Sequence, residues 1–382
     1  MSARVLVVVG TRPEGIKLAP VVEALRQRPE VETRLALTGQ HTDLLDQVIR
    51  AFGLQVDWDL GIMREGQDLF DVAHGCLREL RGVVEAYRPE IVLVQGDTAS
   101  VFFGALVAYF ERTKVGHVEA GLRSRDKWRP FPEEIFRRLT GVAADLHFAP
   151  TPAARENLLR ESVDPATIHL TGNTVVDALQ RMAAVEHAPE SAALRAALES
   201  GKRLVLVTAH RRESFGEPLR RAFGAMRQAA ERYPDALFLY PVHPNPAVRA
   251  AADEVLTGHP GIVLTDPLSY TDLVTALRRS TLVLTDSGGI QEEAPSFGVP
   301  VLVLRDVTER PEGVRVGAAT LVGTDPAAIA QGIDRVLGSG DGARVRVPNP
   351  YGDGRAGERI ADIVAHALTG TPRRTADWDG VA

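Results

Sequence analysis

The sequence predicts an α/β protein made of two Rossmann-like domains, each with a parallel sheet covered by helices. Short runs rich in Val, Ile and Leu alternate with longer amphipathic stretches along a chain of 382 residues. The runs lack the alternation of apolar and polar residues, as expected of strands that are buried on both faces. The length is large for one hydrophobic core and suits two domains.

The apolar runs define candidate strands in both halves of the chain. In the first half they are Arg4–Val9, Val31–Leu37, Ile91–Gln95, Val115–Val118, Leu146–Ala149 and Ile168–Leu170. In the second half they are Leu204–Thr208, Leu237–Pro241, Ile262–Leu264, Leu282–Thr285 and Val301–Leu304. Helical patterns lie between them, for example Thr42–Phe52, with Thr42 as the predicted N-cap and Gly53 after its end. Such alternation predicts parallel sheets with ligand sites at the carboxyl ends of the strands.

The alternation of strand and helix is interrupted once. From Asn173 to Lys202 there are helical patterns, Val175–Val185 and Ala192–Leu198, but no convincing strand, and the strands resume at Arg203. We therefore predict an N-terminal domain at 1–172 and a second domain at 173–355. A further helix, Ala356–Leu368, is followed by a tail, 371–382, that we expect to be frayed.

Composition and charge exclude several classes of protein. The formal net charge of −6 argues against a general nucleic-acid binder, although it allows a local basic pocket. The single cysteine, Cys76, excludes an intramolecular disulfide and a cysteine-based metal cluster. The apolar run Val5–Val9 is too short for a signal-peptide core, and no stretch approaches the ~20 apolar residues of a membrane span. We expect a cytoplasmic protein.

Charged residues follow the first strand in the segment Gly10-Thr11-Arg12-Pro13-Glu14-Gly15-Ile16-Lys17. Arg12 and Lys17 bring two cations to the mouth of the sheet. The spacing matches neither the dinucleotide fingerprint nor the phosphate-binding loop of ATPases. A plain strand–helix turn with solvated charges remains an alternative explanation of this segment.

Two carboxylates are predicted on the same rim of the first sheet. Asp97 follows the third candidate strand, and Glu119 follows the fourth. Asp97 could be a simple helix cap, but neighbouring carboxylates repel each other, which favours a function. Glu133 and Glu134 follow Pro132 at a predicted helix start, where the helix dipole alone accounts for both.

The second half has its richest chemistry after the strands that end at Thr208 and Thr285. His210-Arg211-Arg212 is compatible with an anion site, and a second histidine, His243, follows the strand that ends at Pro241. His and carboxylate residues at zinc spacing do not occur, so we predict no metal site. In Ser287-Gly288-Gly289, backbone N–H groups without neighbouring Cβ atoms form a predicted diphosphate cradle before a helix starting near Ile290. Glu293 lies one turn later, at a distance that suits the hydroxyls of a ribose. A glycine-rich turn without a ligand is the alternative.

Taken together, eight ordered motifs resemble the bacterial non-hydrolysing UDP-GlcNAc 2-epimerases. They are GTRPEGIKLAP, GDT, HVEAGLRS, PEEIFRRLTG, HRRESFG, YPVHPNP, TDSGGIQEEAPSFGVPVLVLRDVTERPEG and NPYGDG. The resemblance extends from Val5 to about Leu368. It implies a fold of the glycosyltransferase-B type with a cleft between the domains and with the final helix packed on the first. It also implies a homodimer that interconverts UDP-GlcNAc and UDP-ManNAc for polysaccharide synthesis without a cofactor.

The resemblance also implies roles for particular residues. Those around UDP would be Arg12, Lys17, His210, Ser287, Gly288, Gly289, Glu293 and Arg310, with Leu268 and Leu273 in a loop that contacts uracil. The family often has Gln and Phe at these two Leu positions, so the contacts must differ here. The catalytic residues would be Asp97, Glu119, Glu133 and His210, with Arg137 near the carboxylates.

A second, allosteric UDP-GlcNAc pocket is known in several members of this family. The matching residues are Gln40, His41, Gln67, Arg211 and His243. At two further positions, where some relatives carry Gln and Arg, this chain has Asp43 and Gly66. We therefore expect weak activation by a second nucleotide sugar.

The chemistry that the resemblance implies is an elimination followed by re-addition. The sugar C2–H is not next to a carbonyl, so UDP must leave before a carboxylate removes this proton. A hydrolysing epimerase, which releases free ManNAc, and a glycosyltransferase of the same fold are the nearest alternatives. A regulator that binds a nucleotide sugar without catalysis is a further one, although binding alone does not require the carboxylates.

Overall fold

The structure is a computed structural model that describes residues 2–39, 43–64, 66–185, 187–211, 214–339, 344–345 and 347–380. It divides into two compact units, which we describe separately. Unit 1 comprises Met1–Ala178 and Tyr351–Val381, and unit 2 comprises Leu179–Pro350. The division falls after Ala178 and not at Gly172, because Val175 and Val176 are buried against Tyr351 of unit 1.

Within its described residues, unit 1 holds a seven-stranded sheet in which all neighbouring strands pair in parallel. The strands are β1 (Ala3–Val9), β2 (Val31–Leu37), β3 (Trp58–Asp59), β4 (Ile91–Gln95), β5 (Lys114–Val118), β6 (Leu146–Ala149) and β7 (Ile168–Leu170). Their order across the sheet is β3-β2-β1-β4-β5-β6-β7. The sheet therefore reverses its winding between β1 and β4, which is where open α/β sheets bind ligands.

Strand β1 shows why the sheet strands are apolar at every position. Val5, Val7 and Val9 belong to one buried cluster, whereas Leu6 and Val8 belong to another. Because successive side chains of a strand point to opposite faces, these two clusters cover the two faces of the sheet. A polar residue at any of these positions would be desolvated in one cluster or the other.

Helices from the first segment of unit 1, Met1–Ala178, cover the sheet. They are α1 (Arg12–Arg26), α2 (Asp43–Ala51), α3 (Leu69–Tyr87), α4 (Ala99–Phe110), α5 (Glu133–Ala143) and α6 (Pro152–Arg160). A 3₁₀ turn lies at Pro165–Thr167, and α7 (Thr174–Ala184) runs from unit 1 into unit 2. No helix among the described residues is both long and apolar enough to span a membrane.

Unit 2 repeats the parallel arrangement. In its described part, six strands pair in the order β10-β9-β8-β11-β12-β13, so the winding reverses between β8 and β11. They are β8 (Arg203–Thr208), β9 (Ala236–Pro241), β10 (Ile262–Thr265), β11 (Ser280–Thr285), β12 (Val301–Val303) and β13 (Ala319–Leu321). The helices are α8 (Ala192–Glu199), α9 (Glu217–Arg232), α10 (Pro246–Leu256), α11 (Tyr270–Arg279), α12 (Gly288–Glu293), α13 (Pro311–Arg315) and α14 (Pro326–Leu337), with a 3₁₀ turn at Ala294–Phe297.

The last helix, α15 (Ala356–Thr369), packs against α1 in unit 1. Its apolar face, with Ile360 and Val364, belongs to the same buried cluster as Val5 of β1. The two helices approach closely at Gly357, where a Cβ atom would lie 2.8 Å from the carbonyl oxygen of Pro20. Glycine at this position allows the close approach.

The expectation of a frayed tail is wrong for its described part. The Trp378 side chain is buried, and its backbone N–H donates to the Leu170 carbonyl at 2.7 Å. The Asp362 carboxylate accepts from the Arg374 and Thr375 backbone N–H groups, both at 2.7 Å. Burial of the Trp378 side chain and hydrogen bonds to the buried Asp362 carboxylate therefore order the tail.

The predicted fold class is confirmed: the chain is α/β, with two parallel sheets covered by helices. The prediction missed β3 and β13, which are edge strands of two and three residues. Strands this short give no apolar run in the sequence. Helix α12 also begins at Gly288, two residues before the predicted start near Ile290.

Candidate active site

Asp97 lies at the switch point of unit 1, directly after the Gly96 turn that ends β4. Its carboxylate accepts a hydrogen bond from the Arg137 guanidinium of α5. The N-cap of α4 is not Asp97 but Thr98, whose hydroxyl accepts from the Val101 backbone N–H. Helix capping therefore does not explain why an acid occupies position 97.

Glu119, at the end of the adjacent strand β5, is held in a strained conformation. Its φ of +64° is uncommon for a residue with a side chain, and its side chain is only 7% exposed. One carboxylate oxygen, Oε2, accepts from Lys17 Nζ at 2.5 Å and from Gln95 Nε2 at 2.7 Å. Lys17 thus contacts an acid of unit 1. Gln95 was missed by the sequence reasoning because a single Gln at the end of an apolar run carries no motif.

Glu133 is the third carboxylate of this rim. Its Oε2 atom is buried and has no hydrogen-bond partner among the described residues. Glu133 lines a cavity of about 230 Å³ together with Thr11, Thr98 and Phe136. An unpaired carboxylate oxygen beside a cavity is costly to maintain, which favours a ligand-facing role.

The neighbouring Glu134 has a structural role instead. Its carboxylate accepts from the Ser124 and Arg125 backbone N–H groups at 3.0 and 3.1 Å, which fixes the loop between β5 and α5. It also lies 3.4 Å from Arg137, the residue that holds Asp97. The helix dipole accounts for an acid at either position, but the structure gives Glu133 and Glu134 different contacts.

His117 of β5 supports the Gly96 turn from within the sheet. Its Nε2 lies 2.7 Å from the Gly96 carbonyl oxygen, and because a carbonyl only accepts, Nε2 carries the proton. Burial lowers the pKa of His117 to about 3, against the opposing effect of this hydrogen bond. The imidazole is neutral at physiological pH and acts as a fixed donor to the turn that precedes Asp97.

In unit 2, His210 follows β8 at the second switch point and is fixed by Asp286. One Asp286 oxygen accepts from the His210 and Arg211 backbone N–H groups at 2.7 and 2.8 Å, and the other lies 3.1 Å from His210 Nδ1. Burial by itself would raise the pKa of Asp286, but His210 and these N–H groups hold it below its ordinary value. The His210 ring also stacks on His243, with centroids 5.5 Å apart.

The Ser-Gly-Gly turn of unit 2 lies under the Arg310 side chain. A Cβ atom at Gly288 would be 2.5 Å from the guanidinium carbon of Arg310, so glycine there lets the guanidinium lie against the backbone. At Gly289 the nearest heavy atom to such a Cβ would be Ser287 Oγ at 4.0 Å, so that side of the turn is open. The turn therefore combines an accessible backbone with an adjacent cation, as an anion site requires.

Arg310 is itself paired with two acids, the buried Glu292 and the partly buried Glu309. Its Nε donates to Glu292 at 2.8 Å and its Nη1 to Glu309 at 2.7 Å, while Arg305 donates to the other Glu309 oxygen at 2.8 Å. Burial alone would raise the pKa of Glu309, but Arg310 and Arg305 outweigh it and lower the pKa to about 2. Arg310 and Arg305 are thus held in place by these acids.

The predicted uracil and ribose residues differ in their surroundings. Glu293 is buried, and one of its oxygens accepts from the Tyr270 hydroxyl at 3.4 Å. Leu268 is buried in a core cluster of unit 2, and Leu273 packs against the same cluster. Arg12 is half-buried at the first position of α1 in unit 1.

Only part of the predicted allosteric set lies within the described residues, since Gln40 and His41 fall outside them. Gln67 is bonded to its own loop, donating to the Ile62 carbonyl at 3.1 Å and accepting from the Arg64 N–H at 2.5 Å. Arg211 lies 3.7 Å from Glu309, and His243 stacks on His210. Gly66 has a φ of +80° and no atom near the position of a Cβ.

Comparison with known sequences identifies the family. The pattern of the UDP-N-acetylglucosamine 2-epimerase family matches residues 23–365. The Escherichia coli (strain K12) UDP-N-acetylglucosamine 2-epimerase is 45% identical over 368 residues, covering 94% of this chain and 98% of the relative. The Bacillus subtilis (strain 168) enzyme of the same name is 45% identical over 361 residues, with 94% of each chain covered. The chain belongs to the UDP-N-acetylglucosamine 2-epimerase family.

Solved structures agree with this family. The Staphylococcus aureus MnaA complex with UDP is 41% identical and has a TM-score of 0.91, covering 98% of this chain and all of that one (100%). The Neisseria meningitidis UDP-GlcNAc 2-epimerase bound to UDP-GlcNAc is 38% identical, with a TM-score of 0.86 over 94% and 99% of the two chains. The predicted family and its isomerase class are thereby confirmed.

Proposed function

We propose that this chain interconverts UDP-GlcNAc and UDP-ManNAc by eliminating and re-adding UDP, through 2-acetamidoglucal as the intermediate. The observation that carries the proposal is the rim of unit 1, where Asp97 and Glu119 follow adjacent strands and are each bound by a buried cation. Relatives that are about 45% identical carry the name of this activity.

The chemistry requires that UDP leaves first. Departure of UDP gives C1 oxocarbenium character, which acidifies C2–H so that a carboxylate removes the proton. Re-addition of UDP with protonation on the other face of C2 inverts that centre. Because the two faces need separate proton donors or acceptors, the reaction accounts for several carboxylates on one rim.

We assign proton transfer at C2 to Asp97, Glu119 and Glu133. Glu133 has a buried oxygen without a partner in the described part of the chain, so its carboxylate has capacity for a hydrogen bond to the substrate. Lys17 and Gln95 both bond the same oxygen of Glu119, which leaves the other oxygen with fewer constraints. These contacts support the assignment of Glu119 to the reaction.

We assign the leaving diphosphate to unit 2. His210, Arg310 and the open backbone of Ser287-Gly288-Gly289 supply donors for the developing negative charge on UDP. Glu293 binds the ribose hydroxyls, and the backbone near Leu268 contacts the base. Arg12, which the family resemblance also places around UDP, is a further proposed ligand.

The chain also has an exposed apolar surface that suits a second copy. Tyr109 and Phe110 at the end of α4, and Leu139 and Val142 on α5, are large hydrophobic residues with exposed fractions from 44% to 85%. Helices α4 and α5 pack against each other, and exposed apolar patches often mark interfaces. They support the proposed homodimer, which a molar mass from light scattering tests. We place the enzyme in the cytoplasm, where nucleotide sugars are made.

The decisive experiment is incubation with UDP-GlcNAc in D₂O, followed by NMR. We expect a mixture of UDP-GlcNAc and UDP-ManNAc with deuterium at C2 and no added cofactor. Free ManNAc as the main product would identify a hydrolysing enzyme. Product that keeps its original C2 proton would contradict the elimination mechanism.

A further inference from the structure

Glu14 is a buried carboxylate that the proposed reaction does not use. It is 2% exposed and accepts three hydrogen bonds. Two come from its own turn, the Gly10 backbone N–H at 2.6 Å and the Thr11 hydroxyl at 2.9 Å. The third comes from the Thr98 hydroxyl at 2.8 Å, on the loop between β4 and α4.

The third bond joins the first turn of α1 to the β4–α4 loop, and both flank the switch point of unit 1. Arg12 begins α1, and the β4–α4 loop carries Asp97 immediately before Thr98. The two segments approach so closely that a Cβ atom at Gly10 would lie 2.3 Å from Ser100 Oγ at the start of α4. Glu14 therefore connects the chain segments on which a proposed phosphate ligand and a proposed proton-transfer residue are placed.

Helix capping accounts for only part of this arrangement. A glutamate at the third position of a helix commonly bonds the backbone N–H before the helix, as Glu14 does with Gly10. Capping does not require complete burial or a bond to a different loop. Burial raises the pKa of Glu14 to about 7, with Asp97 adding a small increase and the three hydrogen bonds opposing it. The donors that bond Glu14 are a backbone N–H and two hydroxyls, none of which carries a charge to offset burial of the carboxylate, so stability does not explain its presence.

We infer that Glu14 is a positioning residue, which holds the Thr98 hydroxyl and thereby fixes the backbone of Asp97 relative to the β1–α1 loop. The Asp97 carboxylate is held separately by Arg137. Asp97 is thus fixed at two points, its carboxylate by Arg137 and its main chain by the bond between Glu14 and Thr98. This inference rests on the proposed function, because it assigns Glu14 to the placement of a residue of that reaction.

The test compares Thr98→Val, which removes the hydroxyl but keeps the shape, with Thr98→Ser, which keeps the hydroxyl. Displacement of a reacting group by about 1 Å costs up to about 10²-fold in rate, so we expect Thr98→Val to lower kcat by about 10-fold or more. KM and UDP affinity should change little, because no assigned UDP ligand is altered. Thr98→Ser should restore most of kcat.

Thr98→Val also removes the side-chain cap of α4, so a capping control is needed. Ser191→Ala removes the comparable cap of α8, where Ser191 Oγ accepts from the Leu194 N–H at 3.3 Å. Both variants should lower the melting temperature slightly, but only Thr98→Val should lower kcat. Melting curves and UDP titration show whether each variant is folded.

Glu14→Gln completes a double-mutant cycle with Thr98→Val. If the two residues act as one unit, the double variant should lose little more kcat than the larger single loss. Multiplicative losses, or full kcat in Thr98→Val, would overturn the inference while the proposed function survives. A wild-type protein that does not turn over UDP-GlcNAc would overturn the proposed function, and this inference with it.

Discussion

Two acids, Glu14 of unit 1 and Glu309 of unit 2, have opposite pKa shifts. In unit 1, Glu14 is surrounded by neutral hydrogen-bond donors, and burial raises its pKa to about 7. In unit 2, burial acts in the same direction on Glu309, but Arg310 and Arg305 outweigh it and lower the pKa to about 2. The same residue type is therefore near its titration range in one unit and permanently charged in the other.

The two acids support different parts of the proposed reaction: Glu14 bonds the loop that carries Asp97, and Glu309 holds Arg310, a proposed ligand of the diphosphate. Binding of a diphosphate requires donors that stay in place. In unit 2 acids fix the proposed UDP ligands: Asp286 holds His210, and Glu292 and Glu309 hold Arg310. The comparison predicts that substitutions at the rim of unit 1 affect turnover and that those in unit 2 affect UDP affinity.

The largest expected effect is on turnover. Asp97→Asn and Glu119→Gln should each lower kcat by about 10²-fold or more, the usual contribution of general acid–base catalysis. UDP affinity, measured by calorimetry, should remain because neither side chain is assigned to the nucleotide. Glu134→Gln is the matched control for folding, since that carboxylate holds a loop. Full kcat in either variant would mean that the substituted residue does not take part in proton transfer.

A smaller effect is expected on UDP binding. His210→Ala should weaken UDP affinity by roughly 10- to 100-fold, since a hydrogen bond to a charged group contributes about 1.5–3 kcal/mol. His187→Ala is the control, because His187 also pairs with a buried aspartate, Asp272, at 2.9 Å in unit 2. Its UDP titration should match the wild type. Equal losses in both variants would attribute the effect to general destabilisation.

The sequence predicted the fold because its signals are local. Buried parallel strands give unbroken apolar runs, and the residues after those runs fall at the carboxyl ends of the strands by geometry. Asp97, Glu119 and His210 could be chosen on this rule. Edge strands of two or three residues are too short to give an apolar run. The buried Trp378 shows that one apolar residue can order a tail whose sequence is otherwise mostly polar.

The partners of the site residues could not be predicted in the same way. Lys17 bonds Glu119 and Thr98 bonds Glu14 across 102 and 84 positions of the sequence. No periodicity or motif encodes such pairs, because they depend on which strands become neighbours. The unpaired oxygen of Glu133 and the different role of Glu134 likewise become visible only in three dimensions.

The pKa contrast between the units predicts opposite effects of pH on stability. Glu14 has a folded pKa of about 7, above its ordinary value of 4.5, so its contribution is present below pH 4.5 and lost as the pH rises to 7. Glu309 has a folded pKa of about 2, so its contribution is present above pH 4.5 and lost as the pH falls to 2. Urea unfolding across pH gives the slope of the unfolding free energy against pH. Glu14→Gln should reduce the slope between pH 4.5 and 7, and Glu309→Gln the slope between pH 2 and 4.5, each by on the order of 1 kcal/mol per pH unit. The same slope in variant and wild type would contradict the assignment of that group.

The smallest expected effect concerns activation by a second UDP-GlcNAc. Where some relatives have Gln and Arg, this chain has Asp43 and Gly66, which removes a cation and adds an anion where a second diphosphate would bind. At an effective dielectric constant of about 20, one unit charge at ~4 Å is worth about 4 kcal/mol before screening, so the second site should be weak. An effector acts only through its preference for one conformation, and weak binding limits that preference. We expect the rate with UDP-ManNAc alone to rise less than about 5-fold, the lower end of typical coupling, when trace UDP-GlcNAc is added. Asp43→Gln should increase this activation, because it removes the added anion without changing the size of the side chain greatly. An absolute requirement of the wild type for trace UDP-GlcNAc would show that these two positions do not control the second site.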